Sequence, residues 1–109
     1  MTNYDVSAVK CSSYDENEIK NALESLLSPI GGLDWVKEGM TVAIKANLVT
    51  FAKPEDATTT HPALICALIG MLKERGAEVI VGDSPGGLYN GIFVGRVYSA
   101  TGVREAEKH

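Results

Sequence analysis

The chain has 109 residues, 45% of them hydrophobic, which suffices for one domain with one modest core. Its formal net charge of -4 and scattered Lys and Arg exclude the basic footprint of a nucleic-acid binder. The start, Met1 to Val6, lacks the basic and apolar regions of a secretory signal, and the longest apolar run, Pro62 to Leu72, is about half the roughly 20 residues of a membrane-spanning helix. The expectation is a cytoplasmic protein with neither nucleic acid nor membrane as partner.

In chain order, Tyr4 to Lys10 alternates like a strand with one partly exposed face, and Cys11 would end it. Asp15 is placed to cap a helix of about 13 residues, whose Ile19, Ala22, Leu23, Leu26 and Leu27 recur at three- and four-residue spacing. Pro29, Gly31 and Gly32 stop it. The stretch from Leu33 to Gly39 reads as a connecting loop with an apolar anchor at Trp35. A second strand is predicted over 41–46, then a polar loop over 48–60. Pro62 suits the first position of a helix because its missing N–H would be unpaired there, and a preceding Thr or His can cap. That helix runs to about Arg75 and ends at Gly76.

A third strand follows over 77–82. Beyond Gly86 and Gly87, Phe93, Val94, Val97 and Tyr98 suit a third helix. Strands alternating with helices at these lengths imply right-handed crossovers and a parallel sheet. The predicted architecture is a single α/β domain over 1–109. It is three-layered and Rossmann-like or flavodoxin-like, with a small parallel sheet and flanking helices.

Ala63 to Leu72 carries no charged residue, whereas a surface helix shows a polar face. The helix therefore calls for cover on more than one side, by self-association or by a longer polypeptide continuing past His109. Continuation is the favoured expectation, since Arg104 to His109 is helical in character and has no stop signal. The two cysteines cannot build a metal site alone, and Cys66, inside the apolar helix, reads as a buried structural thiol.

Chemistry concentrates where two strands end. Lys45 and Asn47 follow the apolar run Met40 to Ile44, and Asp83, Ser84, Gly86 and Gly87 follow the run Ala77 to Val81. Ligands of open parallel sheets bind in the crevice beyond the carboxyl ends of the strands. Lys45 supplies a point charge for phosphate or carboxylate, and Asn47 both donates and accepts. Thr58, Thr59 and Thr60 can present hydroxyls to an anion at the helix start, or simply cap it. His61 is either an acid–base group or a cap whose ring packs on the helix end. Asp83 can bind a metal, a ribose hydroxyl or the Lys45 ammonium, or bond its own turn. The P-loop, the dinucleotide-binding Gly-x-Gly-x-x-Gly and the Gly-x-Ser-x-Gly elbow are all absent.

Lys45-x-Asn47, then Thr60, His61 and Pro62 before an apolar helix, then Lys73 to Val79 with Gly82 to Gly86, form an ordered combination. It resembles the N-terminal part of the family catalogued as domain of unknown function 362, found in bacteria and archaea, over roughly residues 4 to 105. Members of that family are typically longer, and many carry a ferredoxin-like region binding two iron–sulfur clusters. The resemblance implies a redox context without an activity. No Cys-x-x-Cys-x-x-Cys run exists here, so the expectation is no cofactor in this chain and iron–sulfur clusters in a further C-terminal region. The expected function is binding of an anionic small molecule or cofactor at Lys45, Asn47, Thr60, His61, Asp83, Ser84, Gly86 and Gly87, with no catalytic residue assigned and no metal site. The alternative is a non-catalytic scaffold or docking domain that packs on a cluster-bearing region or partner.

Overall fold

A computed structural model describes residues 6–47 and 52–83. Their order is helix α1 (Glu16–Leu27), strand β1 (Thr41–Lys45), helix α2 (Pro62–Lys73) and strand β2 (Glu78–Gly82), with short 3-10 turns at Ser28–Ile30 and Pro54–Asp56. The predicted third helix around Phe93 to Tyr98 lies outside the described residues.

Helix α1 starts where Asp15, in extended backbone, accepts from the Glu18 N–H at 3.1 Å. The Glu18 carboxylate reaches back to the Ser12 N–H at 3.0 Å and to the Ser13 hydroxyl, tying the preceding segment to the first turn. The helix ends because Gly31 and Gly32 take positive φ of 104° and 60°, conformations that cost an L side chain about 1–2 kcal/mol. The Gly32 N–H then bonds back to the Leu27 carbonyl at 2.8 Å, satisfying an end-of-helix acceptor.

Helix α2 ends by the same device. Gly76, at φ 83°, donates to the Lys73 carbonyl and Ala77 donates to that of Leu72. This turn is also locked from outside. The Gly39 N–H bonds the Gly76 carbonyl at 2.9 Å, and the Glu78 N–H bonds the Met40 carbonyl at 2.8 Å, so both strands enter the sheet side by side.

Strands β1 and β2 pair in parallel from Thr41 opposite Glu78 to Lys45 opposite Gly82. Along each strand alternate side chains face the helices. Val42, Ile44, Val79 and Val81 pack inward, while Thr41, Ala43, Lys45, Glu78 and Ile80 face out, with Ile80 60% exposed. The strand predicted near 4–10 is not formed over residues 6–10, which make no backbone hydrogen bond to another described residue. Val6 and Val9 are exposed, so the alternating pattern there has no core to face. Cys11 accordingly ends no strand and is exposed.

The apolar helix is covered twice, as its composition requires. Ile65 and Ile69 join Ala46 on the sheet side, while Met71 and Leu72 meet Ile19 and Leu23 of α1. Full burial of a side chain such as Ile65 or Leu72 contributes about 1.5–3 kcal/mol each. Helix α1 supplies part of this cover, and Leu64 stays exposed. Cys66 is half-buried beside the Ile65 cluster. The loop anchor is not Trp35, which is 57% exposed, but buried Leu33 and Val36. A turn closed by the Val36 N–H on the Leu33 carbonyl turns those two inward and Trp35 out.

Candidate functional site

Parallel pairing brings the carboxyl ends of β1 and β2 to one edge of the sheet. Lys45 stands opposite Gly82, and the Ala46 N–H extends the ladder to the Gly82 carbonyl at 3.1 Å. The residue after each pairing partner therefore leaves the sheet beside the other strand. The Lys45 ammonium meets the Asp83 carboxylate at 2.7 Å. The two side chains differ sharply in exposure: 80% for Lys45 and 5% for Asp83. A shielded carboxylate holds a solvent-facing ammonium.

The second junction joins the strand exit to the start of α2. The Asn47 N–H donates to Thr60 Oγ1 at 3.0 Å, and the Thr60 N–H returns to the Asn47 carbonyl at 3.0 Å. This reciprocal pair fixes where α2 begins relative to β1, and it leaves the Thr60 hydroxyl hydrogen and the exposed Asn47 amide available for other partners. Thr58 instead donates to the Asp56 carbonyl at 3.3 Å. Thr59 is buried, and its hydroxyl has no hydrogen-bond partner among the described residues.

At the start of α2 the capping role expected of a Thr or His falls to His61. Its Nδ1 accepts from the Ala63 N–H at 3.1 Å, and its carbonyl accepts from the Leu64 and Ile65 N–H groups at 3.1 and 3.4 Å. Pro62 has no N–H. The N–H groups that a bare helix terminus would offer to an anion are therefore already used. An anionic ligand at this edge would rest on Lys45, Asn47 and the Thr60 hydroxyl rather than on the helix end.

One residue escaped the sequence reading. The Tyr14 ring stacks on the His61 imidazole, with centroids 3.6 Å apart and planes inclined by 12°. Nothing local in the sequence announces a contact between a pre-helix loop and the cap of a distant helix. Ser84, Gly86 and Gly87 lie outside the described residues. Among the described residues no group of three or more His, Cys, Asp or Glu is placed to hold a metal ion. Cys11, in the exposed segment before α1, and Cys66, in α2, do not fit an iron–sulfur cluster, which is ordinarily held by four thiolates.

A parallel α/β unit with paired polar strand exits is the class of protein these observations define. The chain belongs to the family described as a domain of unknown function, DUF362, which matches residues 42–109 and so takes in β1 from its second residue, β2, α2 and every candidate site residue. It is also 35% identical over 81 residues to a thylakoid-associated protein of Synechocystis sp.. That alignment covers 73% of this chain and 25% of the relative, so the chain spans about a quarter of the relative's length. No solved structure matches. Among the described residues no helix is long and apolar enough to cross a membrane.

Proposed function

We propose that this chain is the small-molecule-binding α/β part of a larger redox-linked, iron–sulfur-associated protein, with an anionic ligand or cofactor seated at the sheet edge formed by Lys45, Asn47, Thr60, His61 and Asp83. The observation that carries this reading is the Lys45–Asp83 pair at 2.7 Å, in which the cation is exposed and its counter-charge is shielded. A lysine anchored by a carboxylate loses side-chain freedom before any ligand arrives, so less ordering entropy opposes binding. The Asn47–Thr60 pair supports the reading by setting neutral donors beside that charge.

The redox setting rests on the family resemblance, and the Rossmann-like reading is supported by the parallel pairing of β1 with β2 around the crossover helix α2. A cytoplasmic location belongs to the same proposal. The relative's thylakoid association makes attachment to a membrane surface the competing location, and cell fractionation of the native protein separates the two. A scaffold or docking role is the second reading, favoured by the exposed Ile80 on the uncovered sheet face.

Thermal-shift screening of phosphate- and carboxylate-bearing compounds on the purified chain, repeated with Lys45→Ala, tests the binding reading. Stabilisation that disappears in the variant, and that weakens with salt because exposed charge is screened, is the expected result. Hits indifferent to Lys45→Ala would overturn it.

A further inference from the structure

We propose that Tyr14 is a positioning residue that holds His61 as a fixed Nε2–H hydrogen-bond donor for an oxygen atom of the ligand; the ligand part rests on the binding reading above. The inference begins with valence. A neutral imidazole has one N–H and one lone pair, and which nitrogen carries which is set by its neighbours. Here Nδ1 accepts the Ala63 N–H at 3.1 Å, so its lone pair is committed and the ring hydrogen belongs on Nε2. Nε2 makes no hydrogen bond to a described residue, and the side chain is only half-buried. The group His61 offers to a ligand is thus an N–H, which suits a carboxylate or phosphate oxygen.

A ring held by one hydrogen bond still pivots about it. The second restraint is Tyr14, stacked face to face at 3.6 Å with a 12° tilt, which sets the plane of the imidazole. Tyr14 is itself held. It lies between Ser13, whose hydroxyl bonds Glu18 of α1, and Asp15, which caps α1. The N–H of Asp15 also bonds the Ser13 hydroxyl at 3.1 Å. Orientation of the His61 ring therefore depends on a segment outside the family-matched stretch, which starts at Val42.

The test uses the full chain carrying His109→Gln, which leaves His61 as its one histidine, under alkaline conditions that keep imidazole neutral. Long-range proton–nitrogen correlation spectra report the tautomer directly, without any ligand. The expected spectrum shows hydrogen on Nε2 alone, with ring protons shifted by the facing Tyr14 ring. Tyr14→Ala should remove that shift and broaden or average the tautomer pattern, and Tyr14→Phe, which keeps the stack, should restore both. With inorganic phosphate as probe, Tyr14→Ala should weaken binding by about tenfold or more, the range of one hydrogen bond to a charged acceptor, and Tyr14→Phe should not. Hydrogen on Nδ1, or a Tyr14→Ala spectrum identical to that of the parent, would overturn the assignment. If the parent fails to bind phosphate while its His61 spectrum still depends on Tyr14, the positioning role is upheld and the anion-binding reading of the edge is the part that fails.

Discussion

The coupling between Lys45 and Asp83 can be given a size. Unit charges 2.7 Å apart attract by about 1.5 kcal/mol at the dielectric constant of water, and by roughly four times that at an effective value of 20. The 80% exposure of the lysine side chain puts the pair near the watery limit, despite the shielded carboxylate. Holding the lysine in one geometry costs up to about 1.5–2 kcal/mol of rotamer entropy when the side chain is fully fixed, and less for a side chain that stays solvated. The balance is a net coupling of about 0.5–1 kcal/mol, in the range measured for exposed pairs. A double-mutant cycle with Lys45→Met, Asp83→Asn and the double variant, followed by urea unfolding, measures the term directly. It should shrink when ionic strength rises from about 0.05 to 0.5 M, because the ammonium is open to counter-ions. A coupling above about 3 kcal/mol, insensitive to salt, would show a desolvated pair and contradict the exposed-lysine geometry on which the binding site is argued.

Other consequences concern the frame around the site. Leu72→Ala and Ile65→Ala each remove a buried side chain from the contact of α2 with its neighbours and should cost about 2–5 kcal/mol by urea titration. Gly76→Ala should destabilise by more than 1 kcal/mol. The positive φ alone costs about 1–2 kcal/mol, and the added methyl would lie 2.9 Å from Glu38 Cγ and 3.0 Å from its Cα. Asp15→Ala should cost about 1 kcal/mol through loss of the cap, with Asp15→Asn recovering most of it. The Lys20–Glu74 pair joins α1 to α2 at 3.0 Å, and the hydrogen bond and charge of Glu74 raise the Lys20 pKa above 10.5. A raised lysine pKa stabilises the fold below the unfolded value and stops doing so above the folded one. The deficit of Lys20→Met should therefore fade as pH climbs past 10.5, and a deficit constant through that range would assign it to the lysine stem instead.

Local rules made most elements legible. Asp15 ahead of an apolar 3–4 repeat, Pro62 at a helix start, and glycine at each helix end are signals whose physics acts within a few residues, and all of them hold in the fold. The run from Thr41 and the run from Glu78 form strands because a chain alternating with helices has few other ways to bury valine and isoleucine on one face. The closeness of Lys45 and Asp83 was legible for the same reason: parallel strands joined by one crossover end at the same edge. What failed depended on partners distant in sequence. Val6 and Val9 alternate like a strand, yet alternation earns a strand only if another edge is there to pair with. Trp35 is the largest apolar side chain in its loop, but a four-residue turn selected Leu33 and Val36. Tyr14 could not be foreseen, since a stack depends on where two loops meet.

The dependence of the site on its surroundings follows from how its two junctions are made. Lys45–Asp83 reports on the sheet, because both residues leave paired strands. Asn47–Thr60 reports on the sheet and α2 together, because one residue ends β1 and the other precedes the helix. α2 in turn is held against the sheet by Ile65 and Ile69, and against α1 by Met71 and Leu72. α1 lies before the family-matched stretch, which starts at Val42. A change that loosens α1, such as Leu23→Ala, therefore reaches Thr60 and His61 through α2 while leaving the β1–β2 ladder and the Lys45–Asp83 contact in place. Amide hydrogen exchange on that variant should show faster exchange at Thr60 and Ala63, whose N–H groups bond Asn47 and His61, and unchanged protection at Ala46, whose N–H bonds Gly82. Equal acceleration at all three would mean that sheet and helix open as one unit, and that the site edge has no part of its own to move.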